Sequence, residues 1–196
     1  MFLPSADASD IDLLRRLAGG DTQAIAELYD KYAPVLLPLA IRIVRDRAEA
    51  EDVVHDAFVA VGARAGQYTA ERGTVAAWMV TLVRNLSIDR TRRRDRRGTL
   101  VRKVLAHEPA PKVADPEGLT AEAAERNKVR KALQSLPEVQ RTTLEIAFFE
   151  GLSYPEIAER EGVPLGTIKS RAARALASLR EALEREGVFG KDILPK

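Results

Sequence analysis

The chain has 196 residues, 31% charged and 45% hydrophobic, with a formal net charge of +2 and no cysteine. That composition is ordinary for a globular protein of one large or two small domains; it excludes disulfides and thiolate zinc sites and does not speak for an oxidising compartment. No apolar run approaches the ~20 residues a bilayer span needs, and the start Met-Phe-Leu-Pro-Ser-Ala-Asp lacks the pattern of a signal peptide, so the expectation is a cytoplasmic protein without membrane insertion.

Aromatics are few, and apolar residues recur at helical spacing, so the expectation is an all-α protein. Ser9 or Asp10 can cap a short helix through Leu13, Leu14 and Leu17, which Gly19 and Gly20 close. Asp21 caps a second helix with Ile25, Leu28, Tyr29 and Tyr32 at apolar positions. Pro34 reads as the first-turn residue of a new helix, with Pro38 tolerated near its start. The next helix turns Ala50, Val53, Val54, Ala57, Phe58 and Val61 inward and Glu49, Glu51, Asp52, His55 and Asp56 mostly outward. A turn-rich break from Gly66 to Gly73 follows. Then comes a long helix with Val75, Trp78, Met79, Leu82, Val83, Leu86 and Ile88 on its apolar side, ending in a run of arginines. Trp78 is in register with Leu82 and Leu86, which favours a place in the core over stacking on a base.

From Gly98 to Gly118 the periodicity stops, and Pro109, Pro111 and Pro116 mark a flexible linker. Two small helical domains are therefore expected, 1–97 and 119–187, with 188–196 as a tail. The second opens with a helix holding Val129, Leu133 and Leu136. Ser135 and Glu138 then have the spacing of a capping box, with Pro137 at the first helical position of a helix carrying Val139, Leu144, Ala147 and Phe148.

The most informative stretch is Gly151 to Arg174. Ser153 and Glu156 form a capping-box pattern, Gly162 supplies a left-handed C-cap, and Pro164 blocks continuation, so a new helix starts near Gly166. This is the pattern of a helix-turn-helix, whose second helix enters the major groove of DNA. Ile168, Ala172, Leu176, Leu179 and Leu183 are expected on its apolar stripe. Thr167, Ser170, Ala173, Arg174 and Ala177 lie opposite, flanked by Lys169 and Arg171. Small residues let the backbone approach a groove, and an arginine can bond guanine O6 and N7 together. An ordinary hairpin with a solvated basic face is the plainer reading; turn, cap and face chemistry together disfavour it.

A net charge of +2 is small for a protein that holds DNA unaided. Positive charge is local instead, in Arg84, Arg90, Arg92, Arg93, Arg94, Arg96 and Arg97, which suggests nucleic-acid contact helped by a larger partner.

Along most of its length the chain resembles the extracytoplasmic-function (ECF) class of bacterial RNA polymerase sigma factors. The resemblance rests on five stretches in order. Three lie in the first domain: Leu28-Tyr-Asp-Lys-Tyr-Ala-Pro, Ala50-Glu-Asp-Val-Val-His-Asp-Ala-Phe, and Trp78 through Asp89. Two lie in the second: Leu136-Pro-Glu-Val-Gln-Arg, and Gly151 through Arg171. It implies a first domain that binds core RNA polymerase and the promoter minus-ten element, and a second that reads the minus-thirty-five element. It further implies an anti-sigma protein as regulator and no cofactor, metal or small-molecule substrate.

Carried over by residue, Glu51, Asp52, Val54, His55 and Asp56 match the polymerase-binding surface. His55 stands where the family usually has glutamine. Gln67, Tyr68 and Arg72 of the Gly66–Thr74 loop match the place where an unstacked minus-ten base is captured, together with Asn85, whose amide offers both a donor and an acceptor. Arg84, Arg90, Arg93 and Arg94 match phosphate contacts near the melted strand. Thr167, Lys169, Ser170, Arg171, Ala173 and Arg174 match the minus-thirty-five reader. A stand-alone helix-turn-helix regulator is the alternative, and the first domain is what separates the two. An enzyme is disfavoured: there is no phosphate loop and no thiol, and the two histidines are His55 and the linker's His107. Glu51, Asp52 and His55 make too thin a set for a metal.

Overall fold

The computed structural model describes residues 8–98 and 121–187, which fall into two compact units. Residues 99–118 of the expected linker, with His107, and the tail 188–196 lie outside them. Among the described residues every regular element is helical.

In the first unit, α1 (Ala8–Ala18), α2 (Gln23–Val44), α3 (Arg47–Arg64) and α4 (Val75–Gly98) pack around α2. Leu28, Tyr32, Leu36, Leu39 and Val44 of α2 meet Val53, Val54, Phe58 and Val61 of α3 and Val75, Met79 and Val83 of α4, all buried. Asp46 caps α3 by accepting the Glu49 N–H at 2.8 Å. Arg45, between α2 and α3, takes a left-handed conformation with φ 60°, and its N–H closes on the Ile41 carbonyl at 2.9 Å. Asp21, expected to cap α2, accepts the Gln23 N–H at 2.9 Å from just before the helix, while Thr22 holds the N-cap position.

Two expectations are corrected here. Pro34 and Pro38 do not begin a helix; both lie inside the single 22-residue α2. Each removes one backbone donor, those that would bond Asp30 and Pro34. Eight buried side chains along α2 hold the helix through the lesion, so packing overrides local propensity. Ser9 and Asp10 are not caps either: both lie within α1, and Asp10 is 1% exposed.

In the second unit, α5 (Ala121–Gln134), α6 (Glu138–Glu145), α7 (Tyr154–Glu161) and α8 (Leu165–Arg185) share two apolar clusters. α6 runs into a turn of π-helix, Ile146–Glu150, which ends at Gly151 with φ 68°. Ile146, Ile157, Ala158 and Ile168 form the cluster that joins α7 to α8. Ala132, Ala182 and Leu183 form the one that seats α5 on α8. The expected capping box at Ser135 and Glu138 is absent: Pro137 holds the N-cap position, and the Ser135 hydroxyl donates back to the Ala132 carbonyl at 2.8 Å.

Candidate nucleic-acid and partner interfaces

The helix-turn-helix is built as its sequence dictates. Glu156 accepts the Ser153 N–H at 2.7 Å and offers its own N–H to the Ser153 hydroxyl at 3.5 Å, so the capping box is closed on both sides. Gly162 takes φ 64°, and the Val163 N–H reaches back to the Ala158 carbonyl at 3.1 Å, which ends α7. Pro164 then starts α8 by accepting the Thr167 N–H at 2.9 Å. Ile157 and Ile168 are fully buried beneath the turn and fix the two helices against each other.

The outward face of α8 presents Lys169, Ser170, Ala173, Arg174 and Ala177, all exposed, with Thr167 half-buried at its start. The apolar stripe differs from expectation at one position. Leu176 is 54% exposed, and Ala175 is buried instead. Leu176 lies ~80° around the helix from Ile168 at 100° per residue, whereas Ala175 lies within ~20°. Arg171 is half-buried and bonds Glu161 at 3.0 Å, so it ties α8 to α7 rather than facing outward freely. Arg174 lies back on its own helix, with Nε 3.2 Å from the Ser170 carbonyl and Nη2 3.3 Å from the Ser170 hydroxyl. Both acceptors are uncharged and the side chain is exposed, so these contacts hold Arg174 only weakly.

In the first unit the loop between α3 and α4 consists of two 3-10 turns, Ala65–Gln67 and Ala70–Arg72. Tyr68 closes it by donating its hydroxyl to the Gly73 carbonyl at 2.8 Å, and its ring lies 5.6 Å from the Trp78 ring. Burial, with the Asp10 charge second, pushes the Tyr68 hydroxyl above its ordinary pKa. Gly73 has φ 117°, a conformation that needs glycine. Gln67 is exposed, and the side chain of Arg72 lies outside the described residues. The Thr74 hydroxyl accepts the Ala77 N–H at 3.1 Å and so starts α4.

Asn85 is exposed on α4, its carbonyl oxygen accepting from Arg84 at 3.1 Å. Burial lowers the Arg84 guanidinium pKa, and the charge of Arg92 adds to the effect. The arginines sort by helical face. Arg90 bonds Asp52 at 2.8 Å, and Arg94 bonds the Val44 carbonyl at 2.9 Å and Glu49 at 3.4 Å, so both lie against neighbouring elements. Arg93 is exposed. Arg92, which the sequence places in the basic run but not at a site, is exposed seven residues from Asn85 and hence on nearly the same face. The i, i+7 spacing was the signal for it.

On α3, Glu51, Asp52, His55 and Asp56 are exposed, and Glu51 bonds Arg47 at 2.9 Å. Val54 is 3% exposed and belongs to this unit's core, so it supports the acidic face from beneath. No helix among the described residues is long and apolar enough to cross a membrane.

The Sigma-70 region 2 family matches residues 28–97, and the Sigma-70 region 4 family matches residues 126–179. The ECF RNA polymerase sigma factor SigK of Mycobacterium bovis (strain BCG / Pasteur 1173P2) is 32% identical over 182 residues, 92% of this chain and 97% of that protein. The chain belongs to the ECF family of sigma factors. SigK of Mycolicibacterium vanbaalenii is also 32% identical to this sigma factor, over 92% of each chain. Among solved structures, SigE of Rhodobacter sphaeroides in complex with the anti-sigma ChrR is 30% identical, with a TM-score of 0.44 over 89% of this chain and 97% of that one. RpoE of Bartonella quintana in complex with the anti-sigma factor NepR is 29% identical, with a TM-score of 0.38 over 77% and 91%. The region 2 match spans α2 to α4, and the region 4 match runs into α8 beyond Arg174. α1 precedes both.

Proposed function

We propose that this sigma factor binds core RNA polymerase and directs promoter-specific initiation through two readers, one in each unit. α8 reads the minus-thirty-five element with Lys169, Ser170, Ala173 and Arg174 in the major groove, Thr167 at its entrance and Arg171 bracing it. The Gly66–Thr74 loop, with Gln67 and Arg72, and Asn85 capture a minus-ten base, and Tyr68 shapes the loop. Arg84, Arg92 and Arg93, together with Arg90 and Arg94 on release from Asp52, Glu49 and the Val44 carbonyl, hold the adjacent phosphates. Glu51, Asp52, His55 and Asp56 dock on the polymerase. The two readers occupy the domains 1–97 and 119–187.

The observation that carries this reading is the packed, capped helix-turn-helix with an outward face of small and basic residues, in a chain that also holds a region 2 unit. Two modest DNA contacts held on one large enzyme add through effective concentration, which suits a net charge of only +2. The protein performs no covalent chemistry of its own. It acts in the cytoplasm, where polymerase and promoter are, and an anti-sigma protein holds it inactive, as the family resemblance implies. Run-off transcription with purified core polymerase is the test: the chain added to core enzyme yields a specific transcript from a cognate promoter. A chain that shifts DNA alone and never programmes core enzyme is a stand-alone regulator.

A further inference from the structure

α1 lies outside the region 2 match and contributes no residue to the proposed readers, yet it is fixed with unusual care. Asp10 is 1% exposed. One of its oxygens receives the Lys31 ammonium at 2.5 Å, and the other receives the hydroxyl of the fully buried Tyr32 at 2.6 Å. Both partners lie on α2. A buried carboxylate is costly unless paired and hydrogen-bonded, and here both conditions are met. The C-terminal half of α1 is held as well: Arg16 bonds Asp21 at 2.7 Å and Glu27 at 2.9 Å. α1 is thus pinned to α2 at two points.

On another side the pinned helix touches the turn that opens the α3–α4 loop. α1 packs on Ala65–Gln67, and a Cβ placed on Gly66 would lie 3.8 Å from the Cβ of Ala18. The loop has few bonds of its own. The Tyr68 N–H reaches Ala65, the Gly73 N–H reaches Ala70, and the Tyr68 hydroxyl reaches Gly73. Its shape therefore depends on what it leans against, α1 on one side and Trp78 on the other. Tyr68 also feels the charge of Asp10, so the carboxylate and the loop are electrostatic neighbours.

We propose that α1 is a buttress for the Gly66–Thr74 loop, and that Asp10 is a positioning residue that sets the loop's shape for reading the minus-ten strand. The inference rests on the proposed reading of that loop. A positioned site loses its selectivity when its support loosens, even though no reading group is removed.

The test uses the full-length chain with core polymerase. The promoter position read by the pocket is first located as the one whose base selectivity Asn85→Ala abolishes. Run-off yields are then compared for all four bases at that position and at one minus-thirty-five position. Asp10→Asn lowers selectivity at the pocket position roughly five- to tenfold, well short of the ~100-fold that a 1 Å misplacement can cost. Selectivity at the minus-thirty-five position stays within about twofold, because that reader lies in the other unit. Ala18→Gly removes the α1 methyl that lies nearest Gly66 without touching the buried carboxylate, and shifts selectivity in the same direction by less. Amide exchange at Tyr68 and Gly73 accelerates in both variants ahead of exchange in α3. Equal loss at both promoter positions, or unchanged selectivity in both variants, overturns the proposal and leaves α1 as a fold element only. If the wild-type chain fails to programme core polymerase, the functional reading fails instead. Exchange at Tyr68 and Gly73 then still decides whether α1 holds the loop.

Discussion

Asp52 and Arg90 are assigned to different partners, yet in the free chain they bond each other at 2.8 Å. Their side chains are 65% and 38% exposed, so the pair belongs to the weak class worth about 0.2–1 kcal/mol. If polymerase takes Asp52 and promoter DNA takes Arg90, the pair must open, and that cost arises once for the two partners together. Each partner then favours the other by the same factor, at most about fivefold for 1 kcal/mol. Asp52→Asn is therefore expected to weaken binding to core polymerase while raising the free chain's affinity for a forked minus-ten DNA by up to about fivefold. Fluorescence anisotropy on labelled fork DNA at one fixed salt concentration measures this, since phosphate contacts make the affinity salt-dependent. Loss of a carboxylate near DNA also helps in a general way, and a double-mutant cycle with Arg90→Ala separates the two effects. In the Arg90→Ala background the gain from Asp52→Asn should shrink to the general electrostatic part alone. A gain of equal size in both backgrounds, or no gain in either, refutes release of Arg90 as the cause.

Four other outcomes are expected. Arg174→Ala costs about 1–3 kcal/mol at one minus-thirty-five position and relaxes specificity there; uniform weakening with a salt slope reduced by about one would place Arg174 on phosphate instead. Ser153→Ala opens the capping box and lowers stability to urea by about 1 kcal/mol, whereas a change near zero would mean that the turn is held by its apolar cluster alone. Pro38→Ala restores a donor for the Pro34 carbonyl inside α2 and raises stability by about 1–2 kcal/mol, the helical gain being offset partly by a freer unfolded chain; a loss would show that α2 is shaped around the proline ring. Asp21 is held below its ordinary pKa by the Arg16 hydrogen bond first and the Gln23 N–H second. Its contribution is thus complete above the unfolded carboxylate pKa and is lost as pH falls through the lower folded value. The stability gap between wild type and Asp21→Asn should narrow on acidification in urea titrations, and a constant gap contradicts the assignment.

Local chemistry was legible in the sequence wherever one segment decided its own structure. The capping box at Ser153, the left-handed Gly162 and the six inward residues of α3 all follow from spacing within a few residues. The misreadings share a cause, which is competition from contacts distant in sequence. Pro34 and Pro38 look like a break until the buried side chains of α2 are counted. Asp10 looks like a cap until its partners prove to be Lys31 and Tyr32, more than 20 residues away. Ser135 has the right spacing for a box, but Pro137 takes the N-cap position and the hydroxyl finds Ala132 nearer. At the candidate sites, exposure of the charged residues was legible and their pairing was not. Nothing in the spacing of Arg90 and Asp52, 38 residues apart, announces an ion pair.

α4 is one unbroken helix of 24 residues, ~36 Å of rod at 1.5 Å per residue. Asn85 and Arg92 sit on it about 10.5 Å apart and within ~20° of the same line. On the proposed reading, the interval between the captured base and the phosphates beside it is thus a fixed gauge, counted in residues of helix rather than set by the bend of a loop. Such a gauge does not stretch. One alanine inserted between Leu86 and Arg90 would leave the rod helical, add ~1.5 Å and turn everything beyond it by ~100°. The two ends of the gauge would then point to different sides of the strand, with every original side chain still present.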